Sequence, residues 1–318
     1  MTSSLGLRPY EPGDEVAILR LFQQSYGKPM PPEFWRWRFQ DNPAGGPLIE
    51  LAWDGDTLAA HYAASPVVVS LVGKPVLTAL SMTTMTHPDY RGRGLFTTLA
   101  NRLYARMAQE GYLMVWGFPN DMSNRGFVRD LAWKDVYEIP MFRLNLSDMP
   151  SGPQISSDIV ELRDFDKRFD VLWESVRSDH AILVQRDQKY LQWRFRMNPQ
   201  NRYRAVAYLQ SDRTFGYAVF KRFESDLDIV DVLAVRQGSI ARDLVMAALD
   251  IGRQAGLKCA NMWLPMGEAL HLELEKLGFQ NGVPVTYLGM RVLNSFPADL
   301  DGSDSRRWHY AMCDSDVF

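Results

Sequence analysis

The sequence predicts an α/β fold made of two mixed α/β domains in tandem, and two observations carry this prediction. The chain has 318 residues, which exceeds one typical core and suits two domains of about 150 residues each. The motif W-R-F-x-x-N-P occurs twice, at 37–43 and at 193–199, with a period of 156 residues (193 minus 37). Self-similarity at this scale indicates duplication. The Pro-, Ser- and Gly-rich segment 150–157 is therefore predicted to link a domain at 1–149 to a domain at 158–318.

Local patterns predict the elements of both halves in order. The first half begins with a helix after the turn residues 11–15, followed by a helix at the first W-R-F motif. Strands are expected at 48–53, 58–71, 75–86 and 113–118, with helices from 95 to 107 and from 120 to 131. The second half repeats this order, with helices at 164–176 and 240–254 and strands at 204–210, 214–221 and 227–235. A strand-like segment at 308–313 precedes an acidic C-terminal tail.

Composition and charge exclude several classes of function. The chain is 46% hydrophobic and 23% charged, as is typical of a soluble globular protein. Its net charge of −3 gives no electrostatic support for nucleic-acid binding, and no apolar run approaches the ~20 residues of a membrane helix. The N-terminus lacks the apolar core of a signal peptide. Cys259 and Cys313 are the only cysteines, so neither a disulfide framework nor a metal-ligand spacing is present. We expect a reduced cytoplasmic protein without metal, nucleic-acid partner or membrane insertion.

The segment 78–100 carries the strongest functional signal. An apolar, Thr-rich run at 78–86 has the β-branched enrichment of a strand and is broken by His87-Pro88. Arg91-Gly92-Arg93-Gly94 follows and opens a helical pattern. Glycines let a ligand approach the backbone closely, and the first N–H groups and positive dipole end of the helix face the same point. The sequence therefore predicts an anion site suited to a diphosphate.

Other phosphate loops fit this segment less well, because a dinucleotide fingerprint needs a third glycine and a P-loop needs G-K-[ST]. The spacing resembles motif A of the GNAT acyltransferase superfamily, [QR]-x-x-G-x-[GA] after a strand that ends V-x-P. Thr86-His87-Pro88 stands at V-x-P, and Phe96 departs from the small residue that is usual there. The resemblance implies a twisted, mostly antiparallel sheet flanked by helices, with acetyl-CoA or another acyl-CoA as co-substrate. The implied loop residues are Arg91, Gly92, Arg93, Gly94, Leu95 and Phe96.

The resemblance continues downstream, where residues 131–133 (L-A-W) are similar to the L-G-F/W closure of motif B. In that superfamily two strands splay apart and the pantetheine arm lies in the gap. The resemblance implies that Met85 and Thr86 bond the pantetheine, that a backbone N–H near them polarises the acyl carbonyl, and that Asn120, or else Asn124, contacts the chain. Many members have a tyrosine on the following helix as proton donor. This sequence has Phe127 or Val128 there, and neither side chain can donate a proton.

The second half lacks the phosphate loop. Residues 235–241 (V-R-Q-G-S-I-A) keep one glycine but have neither the proline nor the paired arginines of the first half. The N-terminal half is therefore predicted to bind the acyl-CoA, and the C-terminal half to be a degenerate GNAT-like domain. The repeated pattern resembles tandem-GNAT proteins, including some encoded among bacterial polysaccharide genes.

No single residue is an unambiguous base. Glu50 lies on a predicted strand and is one candidate, although an exposed strand carboxylate has the same signature. In tandem-GNAT proteins similar to mycobacterial aminoglycoside acetyltransferases, the terminal carboxylate enters the active cleft as base. That resemblance makes Phe318, Asp316 and Asp314 candidates, beside the alternative of a final strand with a frayed acidic end. His61 and His87 are predicted to have structural roles.

The function expected from these residues is acyl-CoA-dependent N-acyl transfer, most simply N-acetylation, to a small amine by direct transfer in a ternary complex. The acceptor class suggested by the tandem resemblance is an amino sugar of surface polysaccharide. Two alternatives stay open: a non-catalytic acyl-CoA-binding module, and aminoacyl transfer from tRNA as in tandem-GNAT peptidoglycan enzymes. The sequence does not define the oligomeric state.

Overall fold

The computed structural model describes residues 5–149, 155–298 and 300–318. The chain forms two compact units, each assembled from three chain segments. The first unit contains Met1–Val68, Val76–Tyr137 and Tyr287–Ser303, and the second contains Val69–Pro75, Glu138–Thr286 and Asp304–Phe318. The predicted linker lies mostly outside the described residues, and the predicted boundaries 1–149 and 158–318 stay a prediction.

The first unit contains most of the elements of the N-terminal half. In chain order these are β1 (Gly6–Pro9), α1 (Glu15–Tyr26), α2 (Pro32–Phe39), β2 (Leu48–Asp54), β3 (Thr57–Leu71), β4 (Lys74–Thr86), α3 (Leu95–Gln109), β5 (Met114–Gly117) and α4 (Asp121–Leu131). The next strand, β6 (Lys134–Asn145), leads into the second unit. Amphipathic spacing places Leu99, Leu103 and Met107 of α3 in the core, against apolar residues of β2 and β3.

The sheet of the first unit is mostly antiparallel. Strands β1, β2 and β3 pair antiparallel in sequence order, and β4 lies next to β3. Strand β5 pairs parallel with β4, since α3 forms the crossover between them.

The elements of the second half of the chain follow the same order, with two additional strands at Ile182–Val184 and Trp308–His309. These are β7 (Ile159–Glu161), α5 (Arg168–Val176), β8 (Ile182–Val184), α6 (Gln188–Leu191), a π-type turn (Gln192–Arg196), β9 (Arg204–Gln210), β10 (Arg213–Phe223), β11 (Asp226–Ala234), α7 (Ile240–Gln254), β12 (Cys259–Met262), α8 (Ala269–Lys276), β13 (Gln280–Val292) and β14 (Trp308–His309). Strands β9, β10 and β11 pair antiparallel, while β12 pairs parallel with β11 after the crossover helix α7. Leu244, Val245 and Ala248 of α7 are buried in the core of this unit.

Each unit's sheet is completed by a strand from the other half of the chain. Residues Phe142–Asn145 of β6 pair antiparallel with β12 in the second unit. Residues Gly289–Val292 of β13 pair antiparallel with β5 in the first unit. Strand β14 pairs parallel with β8, through Trp308 with Ile182 and His309 with Leu183.

The predicted fold class is confirmed, because both units are mixed α/β structures with mostly antiparallel sheets flanked by helices. Two predicted elements were wrong in extent. The helix expected at 164–176 begins at Arg168, and the strand expected at 308–313 stops at His309. Among the described helices, none is both long and apolar enough to cross a membrane.

Candidate functional site

An opening between β4 and β5 is the central feature of the first unit. The described pairing between these strands is confined to Ala79–Leu80 with Val115–Trp116. They are still close at Gly117, where a Cβ would lie 3.1 Å from the carbonyl oxygen of Ser81. Strand β5 ends there, whereas β4 continues to Thr86. The residues of β4 from 82 to 86, called here the open edge, therefore extend past the end of the neighbouring strand.

The open edge contains a distorted residue whose conformation is fixed by a buried histidine. Thr83 has a φ of +51°, a left-handed conformation that costs energy for a β-branched residue. The fully buried His61 bonds the Thr83 carbonyl through Nδ1 at 2.8 Å, and Tyr26 donates its hydroxyl to the Thr84 carbonyl at 3.0 Å. Since a carbonyl only accepts, Nδ1 of His61 carries the proton. These two bonds fix the backbone immediately before Met85 and Thr86.

Burial decides the charge of His61. Desolvation lowers the pKa of His61 to about 4, although the bond to Thr83 favours the charged form. The imidazole is therefore neutral at physiological pH. Its Nε2 is buried without a hydrogen-bond partner among the described residues. Sequence reasoning missed this positioning role, because a positive φ at a threonine leaves no pattern in the sequence.

The predicted anion loop lies directly after β4. Gly92 and Gly94 have φ values of +75° and +72°, and a Cβ at either position would meet nothing within 4 Å. Gly94 is the N-cap of α3 and offers no side chain to the first N–H groups of that helix. Residues 91–94 are exposed. The loop thus has the backbone donors and the open space that a diphosphate needs, so the residues present fit this group of acetyl-CoA.

The two arginines of the loop have different surroundings. The Arg93 guanidinium lies 4.7 Å from the centre of the Tyr90 ring and donates to the carbonyl of Asp89 at 2.9 Å. Tyr90 in turn donates its hydroxyl to Asp54 at 2.8 Å. Arg93 therefore stabilises the loop through these contacts. Arg91 is exposed in the same loop and provides positive charge for an anion.

The two departures from the family pattern contact each other. Phe96 points its ring at Phe127, with ring centres 5.3 Å apart, and also packs against Tyr62. Phe127 also packs against Trp133, with ring centres 4.4 Å apart, so these side chains form an aromatic cluster. The phenylalanine in place of a small residue is accommodated because its ring points into this aromatic cluster. Phe127 is buried in the same cluster, while Val128 is 39% exposed.

Asn120 caps the helix that follows β5. Its side-chain oxygen accepts from the backbone N–H of Ser123 at 3.0 Å, which is the ordinary task of an N-cap asparagine. Asn124, one turn later, is buried. Contact of either side chain with a pantetheine arm stays a prediction.

Glu50 is buried between two arginines of α3. It is 2% exposed and accepts from Nε of Arg102 and Nε of Arg106, both at 3.2 Å. These arginines lie 8 and 12 residues after Gly94, which corresponds to about 12 and 18 Å along a helix. The carboxylate of Glu50 is thus held between two guanidinium groups on the helix that follows the glycine loop. Its role as the general base stays a prediction.

The C-terminal candidates lie in the second unit. Asp314 is buried in an ion pair with Arg186 at 2.7 Å, and Arg186 also pairs with Asp231 at 3.0 Å. The terminal residue, Phe318, accepts a hydrogen bond from Arg194 on its main-chain oxygen and packs its ring against Trp263. Asp316 is partly exposed. The tail is thus anchored mainly by Arg194 of the second W-R-F motif, and its role as base stays a prediction.

A family profile described as an acetyltransferase (GNAT) domain matches residues 6–134. No curated protein matches the chain by sequence.

Several solved structures share the fold over most of the chain. A probable N-acyltransferase from Enterococcus faecalis has a TM-score of 0.73 at 15% identity, covering 92% of this chain and 73% of its own. A GCN5-related N-acetyltransferase from Kribbella flavida has a TM-score of 0.69 at 18% identity, covering 91% and 72%. Another from Anabaena variabilis has a TM-score of 0.70 at 12% identity, covering 92% and 73%.

At these identities the structures establish the fold, while the family profile spans the elements from β1 to the start of β6. The profile therefore includes the open edge and the glycine loop. Residues 6–134 are therefore similar to the GNAT acetyltransferase domain family.

Proposed function

We propose that this protein is an acyl-CoA-dependent N-acyltransferase, most simply an N-acetyltransferase, that transfers its acyl group directly to a small amine in a ternary complex. The observation that carries the proposal is the exposed loop of Gly92 and Gly94 at the start of α3, next to the open edge of β4. An anion cradle and an unpaired strand edge together suit a ligand that has a diphosphate at one end and amides along its chain.

The residues that hold the co-substrate follow from this arrangement. The N–H groups at the start of α3, with Arg91 beside them, bind the diphosphate. Backbone groups of Met85 and Thr86 pair with the pantetheine amides as a neighbouring strand would. When bound, acetyl-CoA supplies an acyl group activated as a thioester. A backbone N–H near Met85 or Thr86, which follow the residues held by His61 and Tyr26, would stabilise the negative charge that develops on the acyl carbonyl during transfer.

Proton transfer is the less complete part of the site. Phe127 and Val128 carry no acidic proton, so α4 supplies no donor at the position where family members have a tyrosine. A thiol has a pKa of about 8.5, which makes departure of the thiolate tolerable near neutral pH. The base candidates remain Glu50, Asp316 and the terminal carboxylate of Phe318.

We propose an amino sugar as the acceptor class, on the resemblance of the repeated pattern to tandem-GNAT proteins of polysaccharide biosynthesis. The second candidate function, an acyl-CoA-binding module without catalysis, is favoured by one observation, the phenylalanine at position 127.

Thiol release from acetyl-CoA, measured with a panel of amines that includes amino sugars, distinguishes these functions. The expected result is release that depends on an amine, with amino sugars as the best acceptors. Binding of acetyl-CoA with no release for any amine would leave the binding module. Transfer of an aminoacyl group from tRNA, with no thiol release from acetyl-CoA, would instead establish the aminoacyl transferase alternative. In the same assay Glu50→Gln and Asp316→Asn are compared with Glu161→Gln, an exposed control, and loss of the base lowers turnover by about 10²–10⁴-fold.

A further inference from the structure

Three side chains of the kinds that bind metal ions converge in the second unit. Nδ1 of His180 lies 3.2 Å from Oε1 of Glu268, and Nδ1 of His309 lies 3.0 Å from the same oxygen. One donor atom from each of the three residues lies within 4.8 Å of the other two. The two imidazole rings are 4.6 Å apart, centre to centre. We call these residues the His-Glu cluster.

The cluster is built by three separate parts of the fold. His180 lies in the connection between α5 and β8, while Glu268 is the N-cap residue of α8. His309 lies on β14, which is fixed in place by its pairing with β8. Since each donor stands on or beside a regular element, the arrangement does not depend on one flexible loop. Such support is what a preorganised binding site requires.

The cluster borders a cavity of about 410 Å³. Its walls include the end of β11, the turn before α7 and the first residues of α8, through Leu233, Gly238, Ala241 and Ala269. In the order of elements this is the counterpart of the region that holds the glycine loop in the first unit. Arg236 of this turn donates to the carbonyl of Asp179 at 2.8 Å.

One ring nitrogen of the cluster has no hydrogen-bond partner in the part of the chain that the structure describes. His309 is 7% exposed, and its Nε2 is buried without a hydrogen-bond partner among the described residues. The observed spacings of 3.0 and 3.2 Å are also close to the distance between two ligands of one tetrahedral Zn²⁺, which is about 3.3 Å for bonds of about 2.05 Å.

We propose that His180, Glu268 and His309 form a binding site for a divalent transition-metal ion, for which Zn²⁺ is the best fit. Two imidazoles and one carboxylate are a known ligand set for Zn²⁺ with one position left for water or substrate. That position would face the cavity. Magnesium and calcium favour all-oxygen sites and are not expected to compete.

The test uses the tag-free, full-length protein, stripped with a chelator and titrated with ZnCl₂ by calorimetry. The expected result is one Zn²⁺ per chain, a higher melting temperature with Zn²⁺, and visible absorption typical of low-coordinate Co²⁺ when cobalt is used instead. His309→Gln and Glu268→Gln should each weaken Zn²⁺ binding by at least about 100-fold, since even indirect ligand partners cost 10–100-fold. Mg²⁺ and Ca²⁺ should produce no comparable heat.

The matched controls are His87→Gln and Glu275→Gln, which alter a histidine and a glutamate outside the cluster. Both should bind Zn²⁺ like the unmodified protein. The proposal is overturned if the full-length protein binds no Zn²⁺ at micromolar concentration, which would leave a hydrogen-bonded cluster only. It is equally overturned if folded His309→Gln and Glu268→Gln keep the original affinity, as checked by circular dichroism. Neither outcome bears on acetyl-CoA binding, so the two proposals fail independently.

Discussion

A buried histidine and an exposed tyrosine fix the backbone of the open edge. His61 bonds the carbonyl of Thr83 and Tyr26 bonds that of Thr84, so two successive carbonyls of a strand are held by side chains. The positive φ of Thr83 persists because these bonds offset its strain. In this arrangement His61 positions backbone and does not act as a base.

Protonation of His61 gives a prediction for stability. The folded pKa of about 4 lies below the ordinary value of about 6.5, so between these values the unfolded chain binds more protons than the folded one. The stabilising contribution of the neutral imidazole is complete above about pH 6.5 and is lost as the pH falls toward 4. Between pH 7 and pH 5, the unmodified protein should lose about 2 kcal/mol more unfolding free energy than His61→Asn.

Urea unfolding of both proteins at the two pH values measures this difference. Asparagine keeps a donor near the position of Nδ1 but does not titrate, so all other groups cancel in the comparison. Equal losses for the two proteins would show that His61 is protonated in the folded state at pH 5.

The glycine turn before α3 was predictable from the sequence, while the side-chain contacts of Glu50 were not. Gly92 and Gly94 stand in a local pattern of strand, glycine turn and helix, and such patterns depend on residues close in sequence. Glu50 gave no comparable signal. Its two arginine partners are 52 and 56 residues away, and only the packing of α3 on the sheet brings them together. A buried ion-paired carboxylate and an exposed strand carboxylate therefore look alike in the sequence.

Elements with strong periodicity were predicted with their boundaries. Helix α7 (Ile240–Gln254) and strand β9 (Arg204–Gln210) have the predicted limits, because a 3.6-residue or two-residue pattern ends at clear turn residues. Helix α5 starts four residues later than expected. The side chain of Asp166 accepts from the N–H of Arg168 at 2.9 Å, so a capping turn occupies the first predicted residues.

The C-terminal strand ends before its predicted limit because side chains form hydrogen bonds with backbone groups that a longer strand would use. Arg194 donates to the carbonyl of Cys313 at 3.0 Å, and Asp314 accepts from the N–H of Ala311 at 2.9 Å. These bonds turn the chain into a short 3₁₀ segment, Met312–Asp314. Arg194 is 119 residues from Cys313, so a strand propensity at 308–313 did not reveal this competition.

We expect the same glycine-to-valine substitution to affect CoA binding differently in the loop before α3 and in its counterpart before α7. Gly94 and Gly238 have φ values of +72° and +57°, and both have open surroundings. Valine imposes similar backbone strain at each site. Gly94→Val should weaken CoA binding by about 10- to 100-fold, as expected for losing charge-assisted bonds of about 1.5–3 kcal/mol. Gly238→Val should leave the affinity within about two-fold.

Calorimetric titration of both folded variants with CoA makes this comparison. Similar losses in the two proteins would mean that the affinity depends on general backbone strain, or that the second unit carries the site. Circular dichroism of each variant verifies that the helices remain.

The exchange of strands between the halves was beyond sequence reasoning. Strand β6 pairs with β12, and strand β13 pairs with β5. Both pairings join residues that are more than 100 positions apart. The repeat predicted two similar halves, and the halves share an order of elements apart from the additional strands β8 and β14. It did not predict which sheet receives the last strand of each half, since either partner buries the same apolar pattern.

The His-Glu cluster could also not be predicted from the sequence. Its members are separated by 88 residues (268 minus 180) and by 41 residues, whereas metal motifs are recognised by short spacings between ligands. Folding of the second unit brings them together.

The central claim is that one chain binds one acyl-CoA, in the first unit, through the loop before α3. Calorimetric titration of the full-length protein with acetyl-CoA tests it most directly. The expected result is a single class of sites with a stoichiometry of one, accompanied by an increase in stability of about 2.7 kcal/mol at a ligand concentration 100 times the Kd. Two equivalent sites per chain, or no binding at millimolar acetyl-CoA, would contradict the claim.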